Sequence, residues 1–393
     1  MDGILIHPTT TRENKDRHTP TPLTVPTTPN TTHCLICKTS LVKNGKTAAG
    51  TQRWRCPVCG ASTTRRRPDV RQKHQLQRFL VWLLGKSSQT DLGGASAARQ
   101  FRRDTAWCWD ITPSIGPVTT THHTILVDGI YIGSWCLLIA VTESLQVLAW
   151  QWCARESTAA WTALLTRIPA PTVAVCDGGA GIKSALRQQW PGTRTQRCIF
   201  HIRMNLRRHL TLNPRTQAGK HLAEIGRALS NVATVPDAIQ WQQLLNVWWQ
   251  AYGHLTRERT KYRDGSWGYT HDRLRKAWNL LHSLNRQRVL FTYLELGNAR
   301  TTSPLEGGIN NSIRTVLRNH RGMSEAHMKR AAEWFLTLKE VPLDRAHEFI
   351  HHQRPVTEPR IEEPEEDPTP TFYDTGLDAS EGLWLRSGWA GRG

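Results

Sequence analysis

Short apolar runs alternate with helical repeats through the middle of the chain. Apolar runs bounded by turn or polar residues predict β-strands, and four occur close together, at 125–132, 135–141, 147–153 and 173–176. The pattern then predicts helices over 157–168 and 182–190. A further strand is predicted after them, over 195–200. An antiparallel start followed by β-α-β units predicts an α/β fold, a mixed sheet with helices on its faces.

The strand pattern stops after this region. From 205 to 296 apolar residues recur at helical spacing, which predicts an all-helical insertion. The insertion would divide a sheet-based catalytic core into a first part at 120–204 and a second part at 297–345. An amphipathic segment at 325–339 is expected to cover the sheet again.

Tryptophans are frequent in the predicted insertion. They have two interpretations, stacking on a distorted DNA end or packing in the helical core, and aromatic residues at helical spacing are more often core. The residues are Trp241, Trp248, Trp249 and Trp267.

Upstream of the sheet, the segment 72–112 contains two helical patterns, 75–84 and 95–109, separated by a glycine-bounded break. The second pattern carries three arginines, Arg99, Arg102 and Arg103. A short helix, a turn and a basic helix form the layout of a DNA-binding helix-turn-helix. The alternative is an ordinary helical hairpin that packs on the catalytic domain.

Both ends of the chain differ in composition from the middle. Residues 1–32 are rich in Thr and Pro and predict disorder, and 346–393 predicts an acidic, mostly disordered tail of unassigned role. The opening residues lack the layout of a signal peptide, and no apolar run has the length that a bilayer needs. We therefore expect a cytoplasmic protein without a membrane partner.

The chain is strongly basic, with a formal net charge of +19 over 393 residues and a pI near 10.0. Lys and Arg side chains that neutralise phosphates release condensed counterions, so a polyanion is the expected partner. The alternative is a solvated basic surface that serves solubility alone.

Four of the nine cysteines form two CxxC pairs, Cys34 with Cys37 and Cys56 with Cys59, separated by eighteen residues. Four thiolates in tetrahedral geometry suit zinc, so the cysteine spacing predicts a zinc ribbon over residues 33–64. The alternative interpretation is a redox-active cysteine pair. Basic residues follow the ribbon and favour DNA contact, although a purely structural ribbon is the other interpretation. They are Arg65, Arg66 and Arg67.

Three acidic residues occur at element ends or within apolar strands. Asp128 lies in ILVDGIYI, Asp177 follows the buried run VAVC, and Glu306 lies in TTSPLEGGINNSIR after Ser303 and Pro304. An acid in apolar company is costly unless it meets a cation or a partner. Each acid taken alone also has an ordinary interpretation as a strand-end or helix-capping residue.

Together these residues resemble the Mutator-type superfamily of bacterial insertion-sequence transposases, in a branch that carries a zinc ribbon. The resemblance covers roughly 120–339, and QRCIFH supplies Cys198 and His201 in that family's Cys-x-x-His signature. The segment NSIRTVLRNHRG is also similar, and its Arg314 and Arg318 are candidate DNA contacts.

The resemblance implies a ribonuclease-H-like core in which Asp128, Asp177 and Glu306 hold Mg²⁺ or Mn²⁺ and cut and rejoin DNA strands by a two-metal mechanism. Cys198 and His201 would support the catalytic site. The expected partners are the element's terminal inverted repeats, the target duplex and further copies of the chain, as a homodimer or larger, in a bacterial cytoplasm or on the nucleoid. Two rivals stay open, an inactive DNA-binding regulator and a nuclease that does not join strands.

Overall fold

The computed structural model describes residues 33–352 apart from 35, 49 and 65–67. The side chains of 68–70 are likewise not described, and the predictions for Arg65, Arg66 and Arg67 and for the two ends of the chain lie outside the described residues. The chain divides into two compact units, Met1–Arg71 and Gln72–Gly393. Within the described ranges, no helix is both long enough and apolar enough to cross a membrane.

The first unit contains a small antiparallel sheet with the order β1-β2-β3, formed by Val42–Lys46, Gln52–Arg55 and Ser62–Thr64. Gly60 directly follows the second cysteine pair and has a φ of 73°, a left-handed conformation that glycine adopts without a Cβ clash. The sheet side chains are mostly exposed or half-buried, so few apolar contacts hold this unit together.

Two helices lie at the start of the second unit, and the first of them begins four residues before it. Helix α1 spans Pro68–Leu84 and α2 spans Gly94–Thr105. Their apolar faces form one cluster with side chains from the end of the described chain, including Trp334 and Phe349. The connection, 85–93, contains a short 3-10 turn and is longer than the usual helix-turn-helix turn. The helices thus pack on the body of this unit, as in the helical-hairpin alternative, and the helix-turn-helix function stays a prediction.

The second unit is built on a five-stranded mixed sheet with the order β6-β5-β4-β7-β8. Strands β4, β5 and β6 pair antiparallel, and β7 and β8 run parallel to β4. This confirms the predicted mixed α/β architecture. The strands are Thr124–Ile132, Trp135–Thr142, Val147–Cys153, Val173–Cys176 and Arg194–Arg197.

Both faces of this sheet are covered, which explains its nearly continuous apolar strands. Helices α3, Thr158–Leu165, and α4, Ala180–Gln189, pack on the face that carries Ile125 and Val127. The opposite face, which carries Leu126 and Ile130, is covered by later segments of the chain. Successive residues of β4 therefore point into two different cores.

The insertion is mainly helical, and its helices share one apolar core. Trp241 and Trp248 are buried there, and their indole N–H groups donate to the carbonyl oxygens of Ile225 and Ala218. The core interpretation is therefore correct for these two residues. The helices α5 to α9 are Ile199–Leu210, Gln217–Ala228, Val235–Tyr252, Asp272–Arg286 and Thr292–Leu296.

The prediction that the insertion is entirely helical was wrong. Strands β9, Arg259–Lys261, and β10, Trp267–Tyr269, pair as an antiparallel hairpin between α7 and α8. Three-residue strands are too short to give an alternating pattern, although Asp264 and Gly265 are typical turn residues. Trp267 lies on this hairpin and is exposed, so the core interpretation does not hold for it.

The last elements return to the sheet. A π-helical turn, Leu305–Asn310, leads into α10, Asn311–Asn319, and α11 follows at Glu325–Glu340. A 3-10 helix, Leu343–His351, then buries Ala346, Phe349 and Ile350. The predicted disordered tail therefore starts too early at 346, because these apolar side chains pack against the first two helices.

Candidate active site and metal centre

Two of the predicted acids lie on neighbouring parallel strands. Asp128 lies within β4, and Asp177 directly follows β7. The strand register pairs Leu126 with Val175, so continuing it by two residues brings Asp177 level with Asp128. Both side chains are half-buried. The sheet thus places two carboxylates side by side where β7 ends.

The third acid comes from the π-helical turn. Leu305 and Ile309 pack this turn against the sheet, and Glu306 and Asn310 lie on it four residues apart. The side-chain amide of Asn310 donates a hydrogen bond of 2.8 Å to Oδ2 of Asp128. Single π-helical turns occur frequently at functional sites, and this one connects the Glu306 segment directly to the first acid.

The acids are close enough to affect one another's ionisation. Burial raises the pKa of Asp128 well above its usual range. The negative charges of Glu306 and Asp177 raise it further, while His201 acts in the opposite direction. Neighbouring carboxylates that disfavour one another's charged forms are stabilised by a bound cation.

Cys198 and Thr302 connect this site to the helical insertion. Cys198 is the N-cap residue of α5, and its backbone N–H donates to the Cys176 carbonyl oxygen, next to Asp177. The Thr302 backbone N–H lies 3.2 Å from the Cys198 Sγ atom, and its hydroxyl lies 3.3 Å from the same sulfur. That hydroxyl also donates to Glu306 Oε1 at 2.8 Å. Thr302 therefore bridges the cysteine and the third acid.

His201 lies one helical turn beyond Cys198. Its Nδ1 atom is 3.6 Å from Glu306 Oε1, is buried, and makes no hydrogen bond. Burial would lower the pKa of His201, but contact with Cys198 and the charge of Asp128 raise it to about 10. Burial would likewise raise the pKa of the Cys198 thiol, but His201 lowers it. Each of the two residues thus stabilises the charged form of the other.

The predicted site residues differ in how close their ligand atoms lie to one another. In the part of the chain that the structure describes, two groups have ligand atoms within 4.8 Å of one another: the four ribbon cysteines, and Cys198 with His201 and Glu306. Asp128 and Asp177 adjoin the second group without meeting this distance. The structure therefore brings all five predicted residues into one region, with Glu306 closest to the Cys-His pair.

A further acid, Glu156, lies at the same site and was not singled out from the sequence. A Cβ atom placed on Gly129, next to Asp128, would lie 2.6 Å from Glu156 Oε1. The Cys136 Sγ lies 3.9 Å from the same oxygen. Burial raises the pKa of Glu156 to about 8, and the charge of Asp177 raises it too. In the sequence this residue precedes the helix-capping Ser157 and resembles an ordinary surface acid.

The raised pKa of Glu156 predicts a pH-dependent stability. The Glu156 carboxyl group is harder to ionise in the folded state than in the unfolded state. Its contribution to the free energy of unfolding is therefore fully present below its ordinary pKa of 4.5 and is lost as the pH rises toward 8. Glu156→Gln keeps the shape but cannot ionise. In buffer without divalent ions, we expect the variant to melt above wild type at about pH 8 and close to it at about pH 5. An equal Tm difference at both pH values would contradict this.

Arg197 supports the turn that follows Asp177. Its side chain is fully buried, and its Nη1 donates to the Gly178 carbonyl oxygen at 2.7 Å. Gly178 has a φ of 75°, and a Cβ atom there would lie 1.5 Å from that same nitrogen. The guanidinium group thus occupies the space that any other side chain at 178 would need.

The four ribbon cysteines come together in the first unit. Cys34 Sγ lies 3.5 Å from Cys59 Sγ, and Cys37 Sγ lies 3.3 Å from Cys56 Sγ. Contact with Thr39 lowers the pKa of the Cys37 thiol to about 6. Four sulfur ligands grouped within 4.8 Å can hold one zinc ion.

The arginines predicted to contact DNA are mostly at the surface. Arg99, Arg102 and Arg103 are exposed on α2, and Arg318 is exposed on α10. Arg314 is half-buried. Their positions leave guanidinium groups accessible to a phosphate backbone, and their contact with DNA stays a prediction.

Comparison with known proteins agrees with this arrangement. Residues 134–320 match the family model described as Transposase, Mutator family. This segment of the chain belongs to the Mutator family of transposases. The match includes Asp177, Cys198, His201 and Glu306, whereas Asp128 precedes it. No curated protein matches the chain.

The matched segment indicates the class of protein. The match supports a transposase at the level of the family, a class of enzymes that bind and process DNA.

Proposed function

We propose that the protein is the DDE transposase of an insertion sequence, with Asp128, Asp177 and Glu306 as the catalytic acids in a ribonuclease-H-like core. The observation that carries the proposal is the meeting of three chain segments at one point, where Asn310 of the Glu306 turn donates to Asp128, beside Asp177. The family match, which covers Asp177 and Glu306, supports it.

The site fits magnesium or manganese by its donor set. The three acids offer only oxygen ligands, which these cations prefer, and the mutual effect of the acids on the pKa of Asp128 favours a bound positive charge. When bound at such acids, divalent ions activate the attacking oxygen and stabilise the leaving one. Asp128, Asp177 and Glu306 would hold them.

The other residues of the site position these acids. Asn310 orients one oxygen of Asp128, and the Thr302 hydroxyl holds one oxygen of Glu306. Cys198 fixes Thr302 and is itself tied to the end of β7. His201 offers its buried Nδ1 beside Glu306. Cys198 and His201 thus act as positioning residues, and the reaction needs no covalent cysteine intermediate.

DNA recognition is assigned to the basic groups outside this site. The exposed arginines of α2 and α10 would contact phosphates, and the zinc ribbon with the adjacent Arg65, Arg66 and Arg67 would contribute to reading the terminal repeats. Bringing two ends together requires at least two copies of the chain, so we propose a homodimer or larger assembly on DNA.

Strand joining tests the proposal. Purified protein is mixed with a pre-cut duplex that carries an end of the element, a target plasmid and Mg²⁺, and joined product is measured for wild type and Glu306→Gln. We expect metal-dependent joining by wild type and its loss in the variant, because glutamine keeps the size but not the charge of the ligand. Glu325→Gln, which changes an acid outside the site, is the matched control.

The two rivals predict different results in the same assay. An inactive regulator would bind the end without cutting or joining, and a nuclease would shorten the DNA without joining it. DNA binding measured in parallel for Glu306→Gln separates a loss of chemistry from a loss of binding. Joining that persists in Glu306→Gln would rule out the proposed role of this acid.

A further inference from the structure

The hairpin in the helical insertion has two unlike faces. Its register pairs Lys261 with Trp267 and Arg259 with Tyr269. Because directly opposed residues of an antiparallel pair point to the same side, these four side chains share one face of the hairpin. The other face carries Thr260 and Thr270, whose hydroxyl groups are 2.7 Å apart. Two cations and two aromatic rings thus lie on one side, whereas the Tyr262 ring lies over Gly268 on the other.

The hairpin holds this face in a defined conformation. At the tip, the Tyr262 backbone N–H donates to Ser266 and the Gly265 N–H donates back to Tyr262. The Arg275 guanidinium carbon lies 3.7 Å from the centre of the Tyr269 ring, and that of Arg259 lies 5.5 Å from it. The face is therefore ordered by contacts within the insertion itself.

Trp267 does not serve the core of the insertion. Its exposed fraction is 59%, whereas the core residues Trp241 and Trp248 are each 2% exposed. All residues from Arg259 to Trp267 are exposed, including Arg263 at the tip. An exposed aromatic ring beside arginine has the composition of a binding surface, where both residue types are enriched.

Charge complementarity identifies the class of partner. Arg and Lys neutralise phosphates, and an exposed aromatic ring stacks on bases of any sequence, the combination by which proteins hold unpaired nucleic acid. Bases inside a duplex are already stacked, so away from the duplex ends an exposed ring can stack only on a base that has left the helix.

We propose that the hairpin face formed by Arg259, Lys261, Trp267 and Tyr269 binds DNA that contains an unpaired nucleotide. The base stacks on Trp267, and the flanking phosphates contact Arg259 and Lys261. This inference rests on the proposed transposase function for the choice of DNA as the partner, and it assigns the insertion the role of holding DNA that is opened at the site of cutting.

The test measures the affinity of the full-length chain for two fluorescent duplexes in buffer without divalent ions. One duplex is fully paired, and the other has the same sequence with a short unpaired loop. We expect Trp267→Ala to weaken binding to the looped duplex by about tenfold, within the range for loss of one base–aromatic stack, and to leave binding to the paired duplex nearly unchanged. Trp267→Phe should keep most of the affinity.

Two further variants make the test specific. Val247→Ala shortens an equally exposed apolar side chain of the same insertion, at 59%, and should change neither affinity. Lys261→Gln should weaken binding to both duplexes and lower the slope of affinity against salt by about one phosphate contact. Both expectations follow from the proposed roles, in which Trp267 stacks on the base and Lys261 contacts a phosphate.

Several results would overturn the inference. One is that Trp267→Ala weakens binding to both duplexes equally or to neither, and another is that the looped strand binds more tightly as RNA than as DNA. Because no strand is cut in this buffer, the result is independent of the joining assay. A transposase without this contact would still join ends, and a chain that never cuts could still show it.

Discussion

Asp128→Asn is expected to lower the rate of strand cleavage and joining by at least about a thousandfold. The substitution keeps the shape of the side chain but removes the charge that lies between Asp177 and the Glu306 turn. Stabilisation by a metal ion at a phosphoryl oxygen is worth several kcal/mol, and each 1.36 kcal/mol corresponds to about a tenfold change in rate. Single-turnover cleavage of an end-bearing duplex in Mg²⁺ measures the effect.

The variant should still fold and bind DNA. Removing a carboxylate that is hard to ionise relieves part of the repulsion at the site, so the Tm without divalent ions should not fall. Asp110→Asn changes an exposed acid and provides the control. A tenfold lower rate corresponds to a rise of about 1.4 kcal/mol in the activation free energy. If Asp128→Asn cleaves at more than about a tenth of the wild-type rate, Asp128 is excluded as a catalytic acid.

Gly178→Ala is expected to destabilise the second unit by at least about 2 kcal/mol, from the strain of a left-handed backbone and from overpacking. The added methyl group would occupy the position of the Arg197 guanidinium, which is buried and cannot move to solvent without opening the site. Because Gly178 follows Asp177, the displacement also moves a proposed catalytic acid, and joining should be lost. Urea denaturation followed by circular dichroism measures the stability.

The neighbouring glycine provides a matched control. A Cβ atom on Gly179 would have its nearest contacts at 3.6 Å, an ordinary van der Waals distance, and the φ of this residue is −49°. Gly179→Ala should therefore fold with nearly the stability of wild type. If both variants lose the same stability, the turn as a whole is sensitive, and the specific role of Arg197 is contradicted.

The sheet was predictable because its strands are buried on both faces. The apolar runs at 125–132 and 173–176 match β4 and β7 closely. A strand that is covered on both faces has few polar residues, so its apolar run is nearly uninterrupted in the sequence. The acids were conspicuous for the same reason, as Asp128 interrupts an apolar strand and Asp177 ends one. Local pattern is enough where burial is nearly complete.

Other features depend on contacts between distant segments. Asn310 donates to a residue 182 positions away, and Glu156 is distinguished from surface acids only by the glycine and the sulfur that surround it. The sequence gives no local sign of either contact. The hairpin was missed because its strands have three residues each, below the length at which alternation is detectable.

The role of the Cys-x-x-His signature also needed the structure. In the sequence, Cys198 and His201 are a thiol and an imidazole of unassigned role. In the fold, Thr302 links the sulfur to Glu306, and the chain around Cys198 is tied to the residue that precedes Asp177. The pair thus connects two acids that are far apart in sequence, which supports the proposed positioning role without a chemical step.

The number of Mn²⁺ ions bound at the acids tests the central claim most directly. Equilibrium binding is followed by electron paramagnetic resonance, with zinc-loaded protein on a duplex that carries an element end, for wild type and Asp128→Asn. Our account predicts two Mn²⁺ ions per DNA-bound site in wild type and the loss of at least one in the variant. Equal Mn²⁺ binding by the two proteins, or none by either, would contradict it.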